Sequence, residues 1–167
     1  MEFLRDLARW VSSGEDRESI EATKELERKV FAVPLEEAKR EVAGYLADPE
    51  KFIVEPAQTD LVLPSSVDAL PALITEFFGT YDSVEETEGF VRLSRGEIER
   101  SQLDGQLIKI GIAAAHAEVV VKAGAEDVYV TDGLESKTGD GSIETYPTIY
   151  HLLLFQVRSF YPTDPAK

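Results

Sequence analysis

Catalysis needs nucleophiles, bases or metal ligands at particular spacings, and this chain is poor in all of them. It has two histidines, His116 and His151, 35 residues apart, and neither lies in a His-Glu-x-x-His pattern that would set two ligands on one helix face. There is no cysteine, hence no thiolate nucleophile, thiolate metal site or disulfide. Gly-x-Ser-x-Gly, a Walker loop and Gly-x-Gly-x-x-Gly are all missing. Asp132, Asp140 and Glu144 share a Gly-rich stretch, but their spacing is not that of an EF-hand, and polar turn residues account for them. Glu85-Glu86 is an acidic pair without the apolar setting that would raise a carboxyl pKa. His116 falls in an alanine-rich turn and His151 on an apolar helix, where a core-edge histidine is the simpler reading. The chemistry left is recognition, and the reading is a non-enzymatic protein with no cofactor and no metal.

Charge points the same way. With 32 acids against 17 bases the net charge is −15. That disfavours binding to a phosphate backbone or an anionic membrane and favours solubility and a basic partner. The excess is spread through the chain, net −6 over residues 1–60 and net −9 over 61–167, so it describes a surface and not a tail. No apolar run reaches the length of a membrane span, and Met1-Glu2-Phe3-Leu4-Arg5-Asp6 lacks the pattern of a secretory signal, so a cytoplasmic location is expected.

The elements that position these residues follow from periodicity. Helices are expected over 2–12, over 15–31 with a thin stripe of Ile20, Leu26, Val30 and Phe31, and from Pro34 to Asp48 with Leu35, Ala38, Val42, Tyr45 and Leu46 on one face. Residues 51–55 and 59–63 read as edge strands or extended linkers bounded by Pro56 and Pro64. Val67, Leu70, Leu73, Ile74, Phe77 and Phe78 predict a helix from about 66 to 78, started afresh or bent at Pro71, with Gly79 as its stop. Thr80 to Gly89 reads as an acidic loop carrying Asp82, Glu85, Glu86 and Glu88.

Strands are expected at 89–94, 107–112, 117–122 and 127–131, with a short polar helix over 95–103 between the first two. In 107–112 the alternation places Ile108, Ile110 and Ile112 on one face. Strands so close in sequence pair as an antiparallel meander. Residues 132–144 form a polar loop, and Thr145-Tyr146-Pro147 opens a helix to about Phe160 that is apolar nearly all round. The fold class is α+β: an antiparallel sheet of four to six strands with packed helices. The division is an N-terminal helical extension over 1–60, the main domain over 61–160 and a tail over 161–167.

The order of these pieces resembles the SUKH superfamily, whose members include bacterial immunity proteins and a fungal cell-wall regulator. The matching residues are Leu70-Pro71 with the helix through Phe77-Phe78-Gly79-Thr80-Tyr81-Asp82, then Ile108-Lys109-Ile110-Gly111, Glu118-Val119-Val120-Val121, Asp127-Val128-Tyr129-Val130-Thr131-Asp132, and the helix holding Tyr150 to Phe155. Where the family often has a Gly/Asp-rich turn after the Ile-Gly strand, this chain has Ala113-Ala114-Ala115-His116-Ala117. The resemblance implies a protein-binding module, an immunity protein that neutralises a cognate toxin, a basic nuclease domain being one candidate. The alternative is a regulatory or scaffolding interaction protein, or a small-ligand-binding module, of the same fold. On this reading the partner-binding residues are Asp82, Glu85, Glu86 and Glu88 in the acidic loop, and Asp132, Asp140 and Glu144 in the later one. The partner's identity and the oligomeric state stay open.

Overall fold

The computed structural model describes residues 16–87, 91–101, 105–113, 117–132 and 144–160. Two helices come first, α1 (Asp16–Phe31) and α2 (Leu35–Leu46), followed by strand β1 (Phe52–Pro56). An irregular strap over 57–71 leads to helix α3 (Ala72–Thr80), which runs directly into β2 (Tyr81–Glu86) and then β3 (Val91–Ser94). A 3₁₀ turn (Arg95–Glu97) precedes the short β4 (Glu99–Arg100). The meander β5 (Leu107–Ala113), β6 (Ala117–Lys122) and β7 (Val128–Asp132) follows, then β8 (Glu144–Tyr146) and the last helix, α4 (Ile149–Phe160). The sheet is antiparallel, ordered β1-β2-β3-β5-β6-β7-β8, with β4 paired to β5.

The class is α+β, as the patterning implies, but the sheet has eight strands where four to six were expected. The largest difference is the acidic stretch after Thr80. It is strand β2 and not a loop, because Val84 and Glu86 turn inward while Ser83 and Glu85 turn away, a period-2 pattern hidden by the acidic side chains. Residues 51–55 resolve as an edge strand, and Tyr146 closes β8 opposite Val128 instead of opening a helix. The helix expected from residue 66 begins only after Pro71, which has φ −55 and ψ 152 and so cannot continue a helix from upstream. The polar helix expected over 95–103 is a single 3₁₀ turn leading to β4. The helix expected over 2–12, most of the 132–144 loop and the tail over 161–167 lie outside the described residues.

One core joins all the layers. Val30 of α1, Ala38, Val42 and Leu46 of α2, Phe52 of β1, Ile74, Phe77 and Phe78 of α3, and Leu152, Leu153 and Phe155 of α4 belong to a single buried cluster with the inward residues Val84, Leu93, Val119 and Val130. The stretch before residue 60 therefore supplies an edge strand and core side chains as well as helices. Helix α4 packs on α1 and α2, and Ile149 and Leu152 through Phe155 are all fully buried. Each such side chain stabilises the fold by about 1.5–3 kcal/mol. Its N-terminus is capped by Thr148, whose Oγ1 accepts from the backbone N–H groups of Tyr150 (3.1 Å) and His151 (3.2 Å).

A bulge sets the register of the central pair. Lys109 faces Val120 but Gly111 faces Val119, so Ile110 is the extra residue on β5. The shift reverses the alternation beyond it. Ile112 is 36% exposed, on the opposite face from Ile108 and Ile110, and Ala113 takes the inward place. Gly111 itself lies against β3. A Cβ there would collide with the Arg92 carbonyl oxygen and come within 2.8 Å of Leu93 Cδ2. We expect Gly111→Ala to destabilise the protein by about 3 kcal/mol, since backbone must move to admit the methyl group. Urea denaturation of the two proteins measures this; an unchanged midpoint would mean β3 and β5 are not packed this closely.

Candidate protein-binding face

Helix α3 is short, and charged side chains from distant elements complete both its ends. Pro71 at the N-cap offers no side-chain oxygen, and the Leu73 N–H instead donates to Glu126 Oε1 (3.1 Å) in the β6–β7 turn. At the other end Arg95 donates through Nε (2.9 Å) and Nη2 to the Phe78 carbonyl oxygen. An anion thus sits at the positive end of the helix dipole and a cation at the negative end.

The middle of α3 is tied to the other helices through Glu76. Lys39 of α2 lies 2.9 Å from Glu76 Oε2, the Tyr150 hydroxyl of α4 donates to the same carboxylate at 2.7 Å, and the Lys39 ammonium stands 5.4 Å from the centre of the Tyr150 ring. The Lys39 hydrogen bond, and after it that of Tyr150, holds the Glu76 carboxyl below its ordinary value of 4.5. Burial, then the Glu76 carboxylate, pushes the Tyr150 hydroxyl far above its ordinary 10.0. Arg158 of α4 makes a two-pronged pair with Glu41 of α2, both contacts 2.8 Å. His151 is 4% exposed and accounted for on both nitrogens. Nε2 donates to the Val33 carbonyl oxygen (2.8 Å), and Nδ1 accepts from the Thr148 hydroxyl (2.7 Å). It joins α4 to the α1–α2 connection, as a core-edge histidine would.

With the described helices on one side, the other side of the sheet carries exposed residues on β1, β3 and β5, and is buried toward β6 and β7, where Val120 is 0% and Thr131 3% exposed. Strand register defines a row across it: Ile53 opposite Glu85, Glu85 opposite Arg92, Arg92 opposite Ile112, Ile112 opposite Glu118, Glu118 opposite Thr131. Ile53 is 53% exposed, and Thr131, at the far end, is buried. Beside the row Glu55 faces Ser83, and Ser83 faces Ser94. Toward β4 the face is occupied by an ion-pair group in which Lys109 lies 2.9 Å from Glu97 and 3.8 Å from Glu99. Ser101 donates to Glu118 at 2.6 Å.

The residues singled out in the sequence separate on this frame. Of the first group, Glu85 is on the open face and Glu86 is 1% exposed on the core side. Asp82 is exposed at the start of β2, 3.9 Å from Arg95. Asp132 ends β7 opposite Ala117, and Glu144 begins β8 opposite Val130, its carboxylate accepting from the Tyr146 hydroxyl (2.8 Å). Strands β3, β5 and β6 stand between these two groups, so they do not form one patch. Glu88, Asp140 and His116 lie outside the described residues. The reading from sequence missed Ile53, Arg92, Ile112 and Glu118. The apolar run Phe52-Ile53-Val54, once read as a strand, puts Ile53 on the face opposite its two neighbours; the bulge that turns Ile112 outward left no signal. Among the described residues no three His, Asp or Glu side chains are grouped as a metal site, and no helix is long and apolar enough to cross a membrane.

No family model, curated protein or solved structure matches the chain.

The clasp at Glu76 gives a pH dependence of definite sign. A carboxyl whose folded pKa is depressed adds stability above its ordinary pKa, and that stability is lost as pH falls through the folded value. Thermal unfolding of the native protein should therefore shift to lower temperature on acidification below about pH 4.5, more steeply than that of Glu76→Gln. Parallel curves for the two proteins would show that Glu76 does not couple the helices. Tyr150→Phe should cost about 1 kcal/mol at neutral pH.

Proposed function

We propose that this chain is a non-enzymatic, protein-binding module that acts as an immunity protein, sequestering a basic toxin domain by direct contact. The observation that carries the reading is the exposed part of the outer sheet face, from β1 to the start of β6. Exposed Ile53 and Ile112 stand there among Glu85, Glu118 and Arg92, on a molecule of net charge −15. Apolar side chains within a polar setting are the composition of a recognition surface. The surplus of carboxylates attracts a cationic partner over distances longer than contact. A nuclease domain suits this description, because a site that holds phosphate is rich in Lys and Arg, and a negative binder arrives quickly and covers it. The likeness of the α3–β2 and β5–β6–β7 segments to SUKH immunity proteins supports the same reading.

The test is protection. Cells expressing the toxin that a neighbouring gene would encode on this reading should survive when this chain is co-expressed, and the two proteins should co-purify. Their association rate should fall by about tenfold or more as salt rises from low to moderate ionic strength. No protection together with no co-purifying basic protein would refute the proposal. A stable partner without toxicity would move the chain to the regulatory or scaffolding class.

A further inference from the structure

We infer that the partner docks on the row from Ile53 to Glu118 with an amphipathic, partly basic helix laid across the strands. This rests on the binding role proposed above and adds the surface and the kind of element it takes. Neighbouring strands are about 4.8 Å apart, and a helix advances about 5.4 Å per turn, so a helix crossing the sheet sets roughly one side chain per turn over each strand. The row offers, strand by strand, Ile53, Glu85, Arg92, Ile112 and Glu118. Its complement reads apolar, basic, acidic, apolar, basic at positions i, i+4, i+7, i+11 and i+14. Two basic positions meet Glu85 and Glu118, and Glu55, two residues on from Ile53, adds a third carboxylate on the first strand. Arg92, exposed in the middle, discriminates. It repels a uniformly cationic segment and accepts one carrying an acid at that turn.

A second copy of this chain does not fit. A two-fold axis through the centre of the row would put Ile53 on Glu118, Glu85 on Ile112 and Arg92 on Arg92, between two molecules of net charge −15 each. Every position would be mismatched.

The test uses the full chain, isotope-labelled, and a synthetic helical peptide of about fifteen residues, four turns. It carries Leu, Lys, Glu, Leu and Lys at the five positions above, and a scrambled peptide of the same composition is the control. Amide shifts should concentrate at Ile53, Glu85, Arg92, Ile112 and Glu118, and the scrambled peptide should bind at least about tenfold more weakly, about 1.4 kcal/mol. Ile112→Glu should weaken binding by a similar factor. Arg92→Glu should weaken the original peptide and favour one with Lys in place of its Glu. Both substitutions are at exposed positions, and thermal unfolding reports whether the fold is kept. Equal binding of the two peptides, shifts spread over α1 and α2, shifts confined to the free edge of β1, or a dimer of the chain in solution would each overturn the inference. A protective toxin partner that still binds Ile112→Glu and Arg92→Glu at full strength would also overturn it, while leaving the immunity role standing; loss of protection by the native chain would instead remove the role itself.

Discussion

The rest of the structure depends on how α3 is held. A helix of nine residues is shorter than one that persists alone in water, so its stability is tertiary. Phe77 and Phe78 anchor it to the core with their rings at right angles, 5.2 Å apart, and Tyr81 and Tyr150 extend the aromatic contact. Burial alone does not fix a rotation or an end point. Those come from polar contacts with distant partners: Glu126 at the start, Glu76 to Lys39 and Tyr150 in the middle, Arg95 at the end. Each partner lies on a different element, so α3 joins the β6–β7 turn, α2, α4 and the 3₁₀ turn. Because α3 passes into β2 without a break, its position also fixes where β2 begins.

The two faces of the sheet are treated differently. The inner one is covered by helices and reads as continuous apolar packing: Val84, Leu93, Val119 and Val130 are each 3% exposed or less. The outer one mixes isoleucines with charges and serines over β1, β2, β3 and β5, and is buried at Val120 and Thr131. A bulge at Ile110 is what lets β5 serve both, since it moves Gly111 against β3 and sends Ile112 outward in two steps of chain. Without it Ile112 would be a core residue and Ala113 an exposed one.

Much of the architecture is legible from residue order. The stripes in α1, α2 and α4 have the helical period, and β3, β5, β6 and β7 show alternation between turn residues. What was hidden has physical reasons. Strand β2 was hidden because only one of its residues, Val84, is both apolar and inward, and Glu86 takes the other inward place. Strands β4 and β8 are too short, at two and three residues, to show a period. The start of α3 was blurred because Val67 and Leu70 keep its spacing while lying in the strap. Of the candidate surface, Glu85 was legible as an acid in an acidic stretch. The row around it was not, because it is made by pairing between strands far apart in sequence and by a bulge that no local pattern announces.

The distribution of charge separates structural from surface roles. Several of the described cations join separate elements or cap them: Lys39 to Glu76, Lys109 to Glu97, Arg158 to Glu41, and Arg95 to the end of α3, while Lys51 pairs with Asp48 nearby in the chain. The 15 acids in excess of the bases give the molecule a net negative field. Arg92 takes part in none of these pairs. Its carbonyl oxygen is the atom that excludes any residue but glycine at position 111, and its side chain is the central charge of the outer row. The close approach of β3 to β5 that the inner core requires is therefore the same contact that sets Arg92 beside Ile112 outside. Core packing and the make-up of the outer row are thus fixed by one piece of backbone geometry, in a paired strand and not in an acidic loop.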